Sequence, residues 1–523
     1  EAIIKQATSN TNFSLTSINH PLPYSFLQRE DGEKFLNLWA ALFLIMATVF
    51  FPASTIQYIV KEREQNIKYQ QLVSGCNIVM YWCSNWVVDV IKYWISALFV
   101  IVLLYIADLE GLVNGTAAGS TWAIFMLYGP AMVSFTYLIS FAFATSNGAQ
   151  NFIIIFGFFF GFVAGMTVWI LGLINESTIR VGKVLLYVFR LFPCFSMAIS
   201  ILYIMTYGLT NAIENWKPGK DPHDIEMVGT DMLYLAFEGV VYFAAVIFFE
   251  MLFSLEGVRT FFMLSPKKSV YEDETLDGDV AAEAERVEGI NPTDGETVVY
   301  AKELQKIYNK GGQIVPAVRD VSFGVSKGEV FGLLGVNGAG KTSTFKILVG
   351  QNTPTRGDVY IQGYDLRHDL LDAQKYIGYT PQFDALLDFI TVEEHLHLYA
   401  DLKGIPKEYK TKLVEDKLTE MNLAQYRKSK AGNLSGGNKR KLSVALAMIG
   451  NPPIVFLDEP STGMDPEARR FMWTVISNIT AHRKQSAVIL TTHSMEEAEA
   501  LSTKIAIMVA GRYKCLGNAQ HLK

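Results

Sequence analysis

Cysteine is scarce in this chain, with four in 523 residues. Cys76, Cys83, Cys194 and Cys515 form no metal-ligand spacing, and two of them open an apolar run. Buried free thiols are therefore expected, not a disulfide framework or a metal site. Basic charge is also in deficit: 45 Lys and Arg stand against 51 Asp and Glu, the net charge is -6 and the pI is near 5.9. That balance gives no ground for a nucleic-acid partner. An initiating Met and a signal-like leader are missing too. The chain starts at Glu1 and stops in mid-pattern at QHLK, so the expectation is an internal piece of a longer protein.

Apolar residues are abundant. They make up 50% of the chain, and the mean hydropathy of +0.21 averages two unlike parts. Residues 35–257 are dominated by long runs of Phe, Ile, Leu, Trp and Tyr, while residues 298–523 have ordinary globular composition. A bilayer-spanning helix needs about 20 mostly apolar residues. Runs near Phe35–Val60, Val79–Ile106, Thr121–Thr145, Phe152–Ile174 and Met232–Leu255 qualify. A sixth region, 184–207, is interrupted by Arg190 and Pro193. It reads as a re-entrant helical hairpin in the outer leaflet, with a sixth span as the alternative.

The loops orient these spans. KEREQNIKYQQLVSG (61–75) carries Lys61, Arg63 and Lys68, whereas ADLEGLVNGTAAGS (107–120) has no Lys or Arg. The first is expected in the cytosol and the second outside. Acceptor sequons at Asn12, Asn114 and Asn175 then face outward, which predicts a glycoprotein. Everything after Leu255 is cytosolic, which makes the sequon at Asn433 accidental. Arg180, Lys183 and Arg190 fit this topology poorly. Within the spans, Asp89 and Lys92 are spaced to pair on one helix face, as a structural pair or as part of a transport route. Glu238 and Glu250 have no sequence-visible partner, and both lie near enough to a span end to reach water. The stretch Tyr271–Glu296 holds ten acidic residues and a single Arg. It reads as part of a solvated linker over 258–297, and residues 1–34 read as the end of an extracellular domain.

The last part carries the chemistry. Gly335-Val336-Asn337-Gly338-Ala339-Gly340-Lys341-Thr342 follows an apolar strand and opens a helix through Ser343. Such a glycine-rich loop turns backbone amides and a helix N-terminus toward phosphates. Lys341 is expected at the β- and γ-phosphates and Thr342 at Mg²⁺. A second apolar strand ends in Asp458-Glu459, which suits a metal partner and a group that orients the attacking water. A third ends at His493, expected at the same edge as a γ-phosphate contact. Gln382 follows another strand-like run, within reach of Mg²⁺ or the lytic water. Tyr308, upstream of the loop, is a candidate to stack on adenine.

These pieces, with LSGGN at 434–438, FLDEP at 456–460 and STGMD at 461–465, resemble the ATP-binding subunit of ABC transporters over about 220 residues. Asn438 departs from the commoner LSGGQ but keeps an amide. STGMD departs from the usual SALD-type stretch but leaves Asp465 in register as a nucleotide-site residue. The resemblance implies two such domains facing head to tail, with Ser435, Gly436 and Gly437 closing over ATP held by the other domain. The helix N-terminus at Ser435 favours an anion independently of that resemblance; a plain Ser N-cap is the alternative. The membrane half, through FFPASTIQYIVKEREQNIKYQQLVSG and YWCSNWVVDVIKYW, looks like the lipid-handling A subfamily.

The expected fold is an all-α polytopic transmembrane domain followed by an α/β P-loop ATPase domain with a helical subdomain. The resemblance implies the C-terminal half of a full transporter, using ATP and Mg²⁺, with the N-terminal half of the same transporter and membrane lipid as partners. Its charged KERE start suits the 61–75 loop for docking on the nucleotide domain. The implied function is ATP-driven movement of lipid. Another cargo (a drug, peptide or sterol), or a nucleotide-gated regulator without transport, remains as an alternative.

Overall fold

The structure is a computed structural model that describes residues 38–107, 109–113, 115–174, 176–210, 228–254, 277–292, 295–310, 313–482 and 486–522. The sequons at Asn12, Asn114 and Asn175 lie outside the described residues, as do residues 1–34 and the linker from 258 to 276.

Among the described residues, five helices are long and apolar enough to cross a bilayer: α1 (Leu38–Glu64), α3 (Ile78–Ile106), the Ala118–Ser140 part of α4 (Gly115–Ser140), α5 (Ser146–Gly172) and the Thr230–Leu252 part of α8 (Thr230–Ser254). Their 18-residue windows have mean hydropathies of 1.5 to 2.3. Between α1 and α3 lies the short α2 (Ile67–Val73), entered through Asn66 in the left-handed region. Between α5 and α8 lie α6 (Glu176–Phe189) and α7 (Pro193–Thr210). The helix pair thus starts well before residue 184. Pro193 opens α7, where its missing N–H costs nothing.

The chain divides into two compact units. One comprises Glu1–Pro52, Lys92–Met132 and Ile154–Gly239; the other comprises Ala53–Ile91, Val133–Ile153 and Val240–Lys523. In the first, α5 contains a π-helical stretch, Phe158–Val163, and Phe156, Phe160, Phe189 and Phe192 pack ring on ring. Arg190, which fitted the charge rule poorly, is neutralised there. Its Nε and Nη2 donate to the Asp231 carboxylate at 2.6 and 3.2 Å, with both side chains buried. Glu238 does not reach water as expected: it is 2% exposed, with neither carboxylate oxygen hydrogen-bonded among the described residues.

In the second unit, the span charges are satisfied over long sequence distances. Asp89 accepts from the Tyr137 hydroxyl at 2.6 Å. Glu250, which has no sequence-visible partner, receives Lys68 Nζ at 2.8 Å on both oxygens and Trp82 Nε1 at 3.2 Å. The four cysteines are free, but only Cys194 is buried. The others are partly exposed: Cys76 lies in the connection between α2 and α3, and Cys83 and Cys515 sit on helix and strand faces that are not fully covered.

The same unit carries the nucleotide fold. α9 (Gly278–Glu288) precedes β1 (Thr297–Lys310), β2 (Gln313–Ser326), β3 (Val330–Leu334), α10 (Lys341–Leu348), β4 (Arg356–Ile361), β5 (Tyr364–Asp365) and β6 (Ile377–Thr380). There follow α11 (Val392–Leu402), α12 (Lys407–Glu420), α13 (Gly436–Ala447), β7 (Ile454–Asp458), α14 (Pro466–His482), β8 (Ala487–Thr492), α15 (Met495–Leu501), β9 (Lys504–Val509) and β10 (Arg512–Gly517). An antiparallel sheet has the order β2-β1-β4-β5, and a second sheet has the order β10-β9-β3-β8-β7-β6. In the second sheet β6, β7, β8, β3 and β9 run parallel. β3, β7 and β8 are buried along their whole length, as a sheet covered on both faces requires. β3 stands near the middle of the sheet, so the loop that follows it emerges where the neighbouring strands also end.

α9 corrects one expectation. Part of the acidic stretch is not a solvated connector but a helix whose Val280 joins the domain core. Burial pushes the Glu283 carboxyl up, but bonds from Arg286, Lys504 and the Gly324 N–H outweigh it and hold the group below its ordinary range.

Candidate functional site

The parallel register brings the loops that follow β3, β8, β7 and β6 to one edge. Leu334 of β3 lies opposite Thr492 of β8, and Thr491 of β8 lies opposite Asp458 of β7. The phosphate-type loop, Asp458-Glu459 and His493 therefore leave the sheet side by side. Gly340 ends the loop at φ +109°, and a Cβ there would stand 2.3 Å from the Ala317 carbonyl oxygen. Only glycine fits such a position. Lys341 opens α10 and donates to the carbonyls of Gly335 (2.6 Å) and Val336 (3.2 Å), curling over the loop. Burial pulls its ammonium down, opposed by Glu459 and Asp458. Thr342 and Ser343 occupy the first turn of α10 and are partly exposed.

Asp458 is buried and accepts from the Thr491 hydroxyl at 2.5 Å. Burial raises its pKa; the Thr491 bond opposes this and Glu459 adds to it. Glu459 adopts φ +50°, an uncommon region for a non-glycine residue. Its N–H donates to Thr491 Oγ1 at 2.9 Å, and its Oε2 accepts from Thr462 Oγ1 at 3.1 Å. His493 Nδ1 stands 3.6 Å from Glu459 Oε2, with the ring half exposed.

Of the other expected residues, Ser435, Gly436, Gly437 and Asp465 sit apart from this edge group, while β6, which precedes Gln382, pairs parallel to β7 through Thr380 and Leu457 and ends at the same edge. Ser435 is exposed, caps α13 and accepts from the Asn438 N–H at 3.4 Å. Asp465 lies beside Gly437, where a Cβ would be 3.9 Å from its Oδ1, and it also accepts from the Ala468 N–H. Ser435, Gly436, Gly437 and Asp465 thus form a second cluster. Tyr308 lies on β1, and its hydroxyl accepts from Asn352 Nδ2 at 3.0 Å. Gln382 follows β6, and its carbonyl accepts from Arg440 Nη1 at 3.2 Å.

Sequence reasoning passed over two side chains here. Thr491 hides inside an apolar strand yet holds both Asp458 and the Glu459 amide. Arg440 hides inside the basic run KRK.

The 61–75 loop also belongs to this unit. Tyr69 on α2 donates to the Val349 carbonyl at 2.6 Å and accepts from Gln374 Nε2 at 3.2 Å. Gln351 Nε2 donates to Asn66 Oδ1 at 2.8 Å. Gly75 turns at φ +105°, where a Cβ would meet the Leu402 oxygen at 2.7 Å. The charged KERE start contributes little to this docking. Lys61 reaches Asp388 at 3.5 Å with both side chains about half exposed, a weak arrangement. Glu62, Arg63 and Glu64 instead bond Tyr81, the Ser140 and Phe143 carbonyls, and the Ser146 amide. Arg63 and Glu64 thus tie membrane helix ends together, because unpaired backbone groups there need partners.

Residues 318–462 match the family described as ABC transporter, and residues 1–248 match the ABC-2 family transporter protein. The sequence is 37% identical over 521 residues to ATP-binding cassette sub-family A member 2 of Rattus norvegicus, covering 98% of this chain and 21% of that protein. It is 38% identical over 489 residues to Retinal-specific phospholipid-transporting ATPase ABCA4 of Bos taurus, covering 92% and 21%. It is 34% identical over 520 residues to Phospholipid-transporting ATPase ABCA7 of Homo sapiens, covering 98% and 24%. The chain spans about a fifth of the length of these relatives.

Proposed function

This chain belongs to the ABC transporters and matches A-subfamily members over nearly all of its length, and we propose that it is the C-terminal half of an ATP-driven lipid translocase. It is a multi-pass membrane protein with a cytosolic, nucleotide-binding ATPase domain. The observation that carries the proposal is the convergence of Lys341, Asp458, Glu459 and His493 at one sheet edge, in a unit where α2 is docked on the same domain.

In this reading the amides of 335–340 and the Lys341 ammonium hold the β- and γ-phosphates. Tyr308 stacks on adenine. Thr342, Asp458 and Gln382 supply the oxygens that would hold Mg²⁺, and the fit is good because Asp458 is buried at the strand end with a hydroxyl already orienting it. A bound Mg²⁺ would neutralise charge on the phosphates. Glu459 orients and polarises the attacking water, and His493 contacts the γ-phosphate. Ser435, Gly436, Gly437 and Asp465 close over ATP held by the N-terminal half, whose own signature closes the site at Lys341. Closure is favoured because the γ-phosphate binds the closed state better than the open one. α2 passes that movement to the spans. The lipid cargo rests on what the relatives are named for.

The test is ATP hydrolysis by the full-length protein in nanodiscs of defined lipid. Glu459→Gln is expected to lower the rate by about two orders of magnitude or more, and lipid is expected to stimulate the wild type. Equal rates for variant and wild type would favour the nucleotide-gated regulator. Stimulation by a peptide with silence toward every lipid would replace the cargo.

A further inference from the structure

Arg440 is a heavily bonded side chain of the nucleotide domain. It lies on α13, five residues beyond Ser435, and is 3% exposed. Its Nη1 donates to the carbonyls of Pro381 (2.6 Å) and Gln382 (3.2 Å) and to Asp384 Oδ1 (3.1 Å). On the other edge of the guanidinium, Nη2 donates to the carbonyls of Asp458 and Glu459 (2.8 Å), and Nε donates to the Pro460 carbonyl (3.2 Å). Five N–H groups thus serve six acceptors on two loops. One loop carries Gln382 and the other carries Glu459, the two expected to act on water and metal at this domain's own nucleotide.

The fork of Arg is planar and rigid, so its two edges cannot move independently. The Glu459 peptide is also the strained one, at φ +50°. Thr491 holds its N–H and Arg440 holds its carbonyl. A shift in either loop must break several bonds or drag α13 with it. The N-terminus of α13 is Ser435–Gly437, only about 7 Å along the helix axis from Arg440. That end, with Asp465 beside it, is the cluster separate from the sheet edge.

We infer that Arg440 is a positioning residue that links the two nucleotide sites: it couples the placement of Gln382 and Glu459 at this domain's own phosphate edge to the orientation of the Ser435–Gly437 turn that serves the nucleotide on the companion domain. The inference rests on the head-to-tail reading above and extends it. Lys cannot replace the fork, because one ammonium with three donors cannot face two loops at once.

The experiment uses full-length transporter in nanodiscs and 8-azido-ATP photolabelling, with proteolysis separating the halves so that label is counted on each. Binding is read in the cold without turnover, and trapping is read with vanadate during turnover. For Arg440→Gln and Arg440→Lys, cold labelling of the C-terminal half is expected to stay within about twofold, and vanadate trapping on the untouched N-terminal half to fall by about tenfold. Ser435→Arg is the control for the head-to-tail reading and should abolish the same trapping. If Ser435→Arg abolishes it and the Arg440 variants do not, the link is refuted while the composite sites stand. If Ser435→Arg leaves it intact, the head-to-tail reading itself fails. Loss of cold labelling at the variants' own site makes Arg440 a scaffold residue and overturns the link. Should the Arg440 variants not fold, Asp384→Asn removes one of the six acceptors and decides: a fall of about threefold in N-terminal trapping supports the link, and no change refutes it.

Discussion

Glu250→Gln should loosen the docked helix α2 without touching the nucleotide site. Lys68 on α2 is 9% exposed at its side chain and Glu250 is 16% exposed. The ammonium bonds both carboxylate oxygens at 2.8 Å and lies 5.1 and 4.5 Å from the Tyr81 and Trp82 ring centroids. Burial pulls the Lys68 ammonium down, and Glu250 is the main group opposing that. Removing the carboxylate leaves a buried cation with Glu62 and the two rings as its remaining favourable neighbours, at a cost of about 3–5 kcal/mol. Cation–π attraction of about 1–2 kcal/mol was present before and remains, so it does not rescue the variant. Removing the charge as well, in Lys68→Met/Glu250→Met, should cost about 1 kcal/mol or less, because no buried ion is stranded. The assay is amide hydrogen exchange of Ile67–Val73 in the full-length protein, which reads local opening. A 3 kcal/mol loss lowers protection about 100-fold, and the double variant should regain most of it. Lipid-stimulated hydrolysis should fall and return in the same order. Additive effects within about 0.5 kcal/mol would show the two residues to be uncoupled and refute the strut.

Gly340→Ala places a Cβ 2.3 Å from a backbone oxygen at φ +109°; binding of a fluorescent ATP analogue should weaken at least tenfold or so, from strain and a displaced loop, and unchanged affinity would show that the loop is not the phosphate cradle. His395 is fully buried, with Nδ1 2.9 Å from the Thr391 carbonyl and Nε2 accepting from the Leu387 N–H at 3.0 Å. That pattern needs a neutral ring, and burial lowers its pKa. The unfolded chain then binds the extra proton first, so stability is intact well above about pH 6.5 and is lost as pH falls through that value. Thermal melts at pH 7.5 and 5.5 should show the loss, and His395→Gln, which can still donate and accept, should shrink it.

What the sequence made legible was local: a loop whose glycines, lysine and threonine have fixed spacing, strands that are apolar from end to end, and spans longer than a bilayer. Their roles follow from short-range geometry, so a parallel register was enough to set Lys341, Asp458 and His493 side by side. The misread features all depend on partners far along the chain. Glu250 looked unpaired because Lys68 is 182 residues away. The acidic stretch looked solvated because Val280 and Glu283 find their places only once β1, β2 and β9 exist to receive them. KERE looked like a docking face because its charges were counted without the helix ends they serve. Docking falls instead to Tyr69 and its neighbours, whose polar atoms meet backbone carbonyls at little desolvation cost, whereas a buried charge there would need its own counter-ion. Arg440 is the extreme case. As the middle letter of a basic run it drew no reading from the sequence, and five of its six acceptors are backbone carbonyls, which leave no mark in any sequence. A cation held mostly by peptide dipoles, with its one carboxylate partner, Asp384, 56 residues away, cannot be found by pairing charges along the chain. It can be found by asking which buried donors remain when the helix that carries them is packed against two loops.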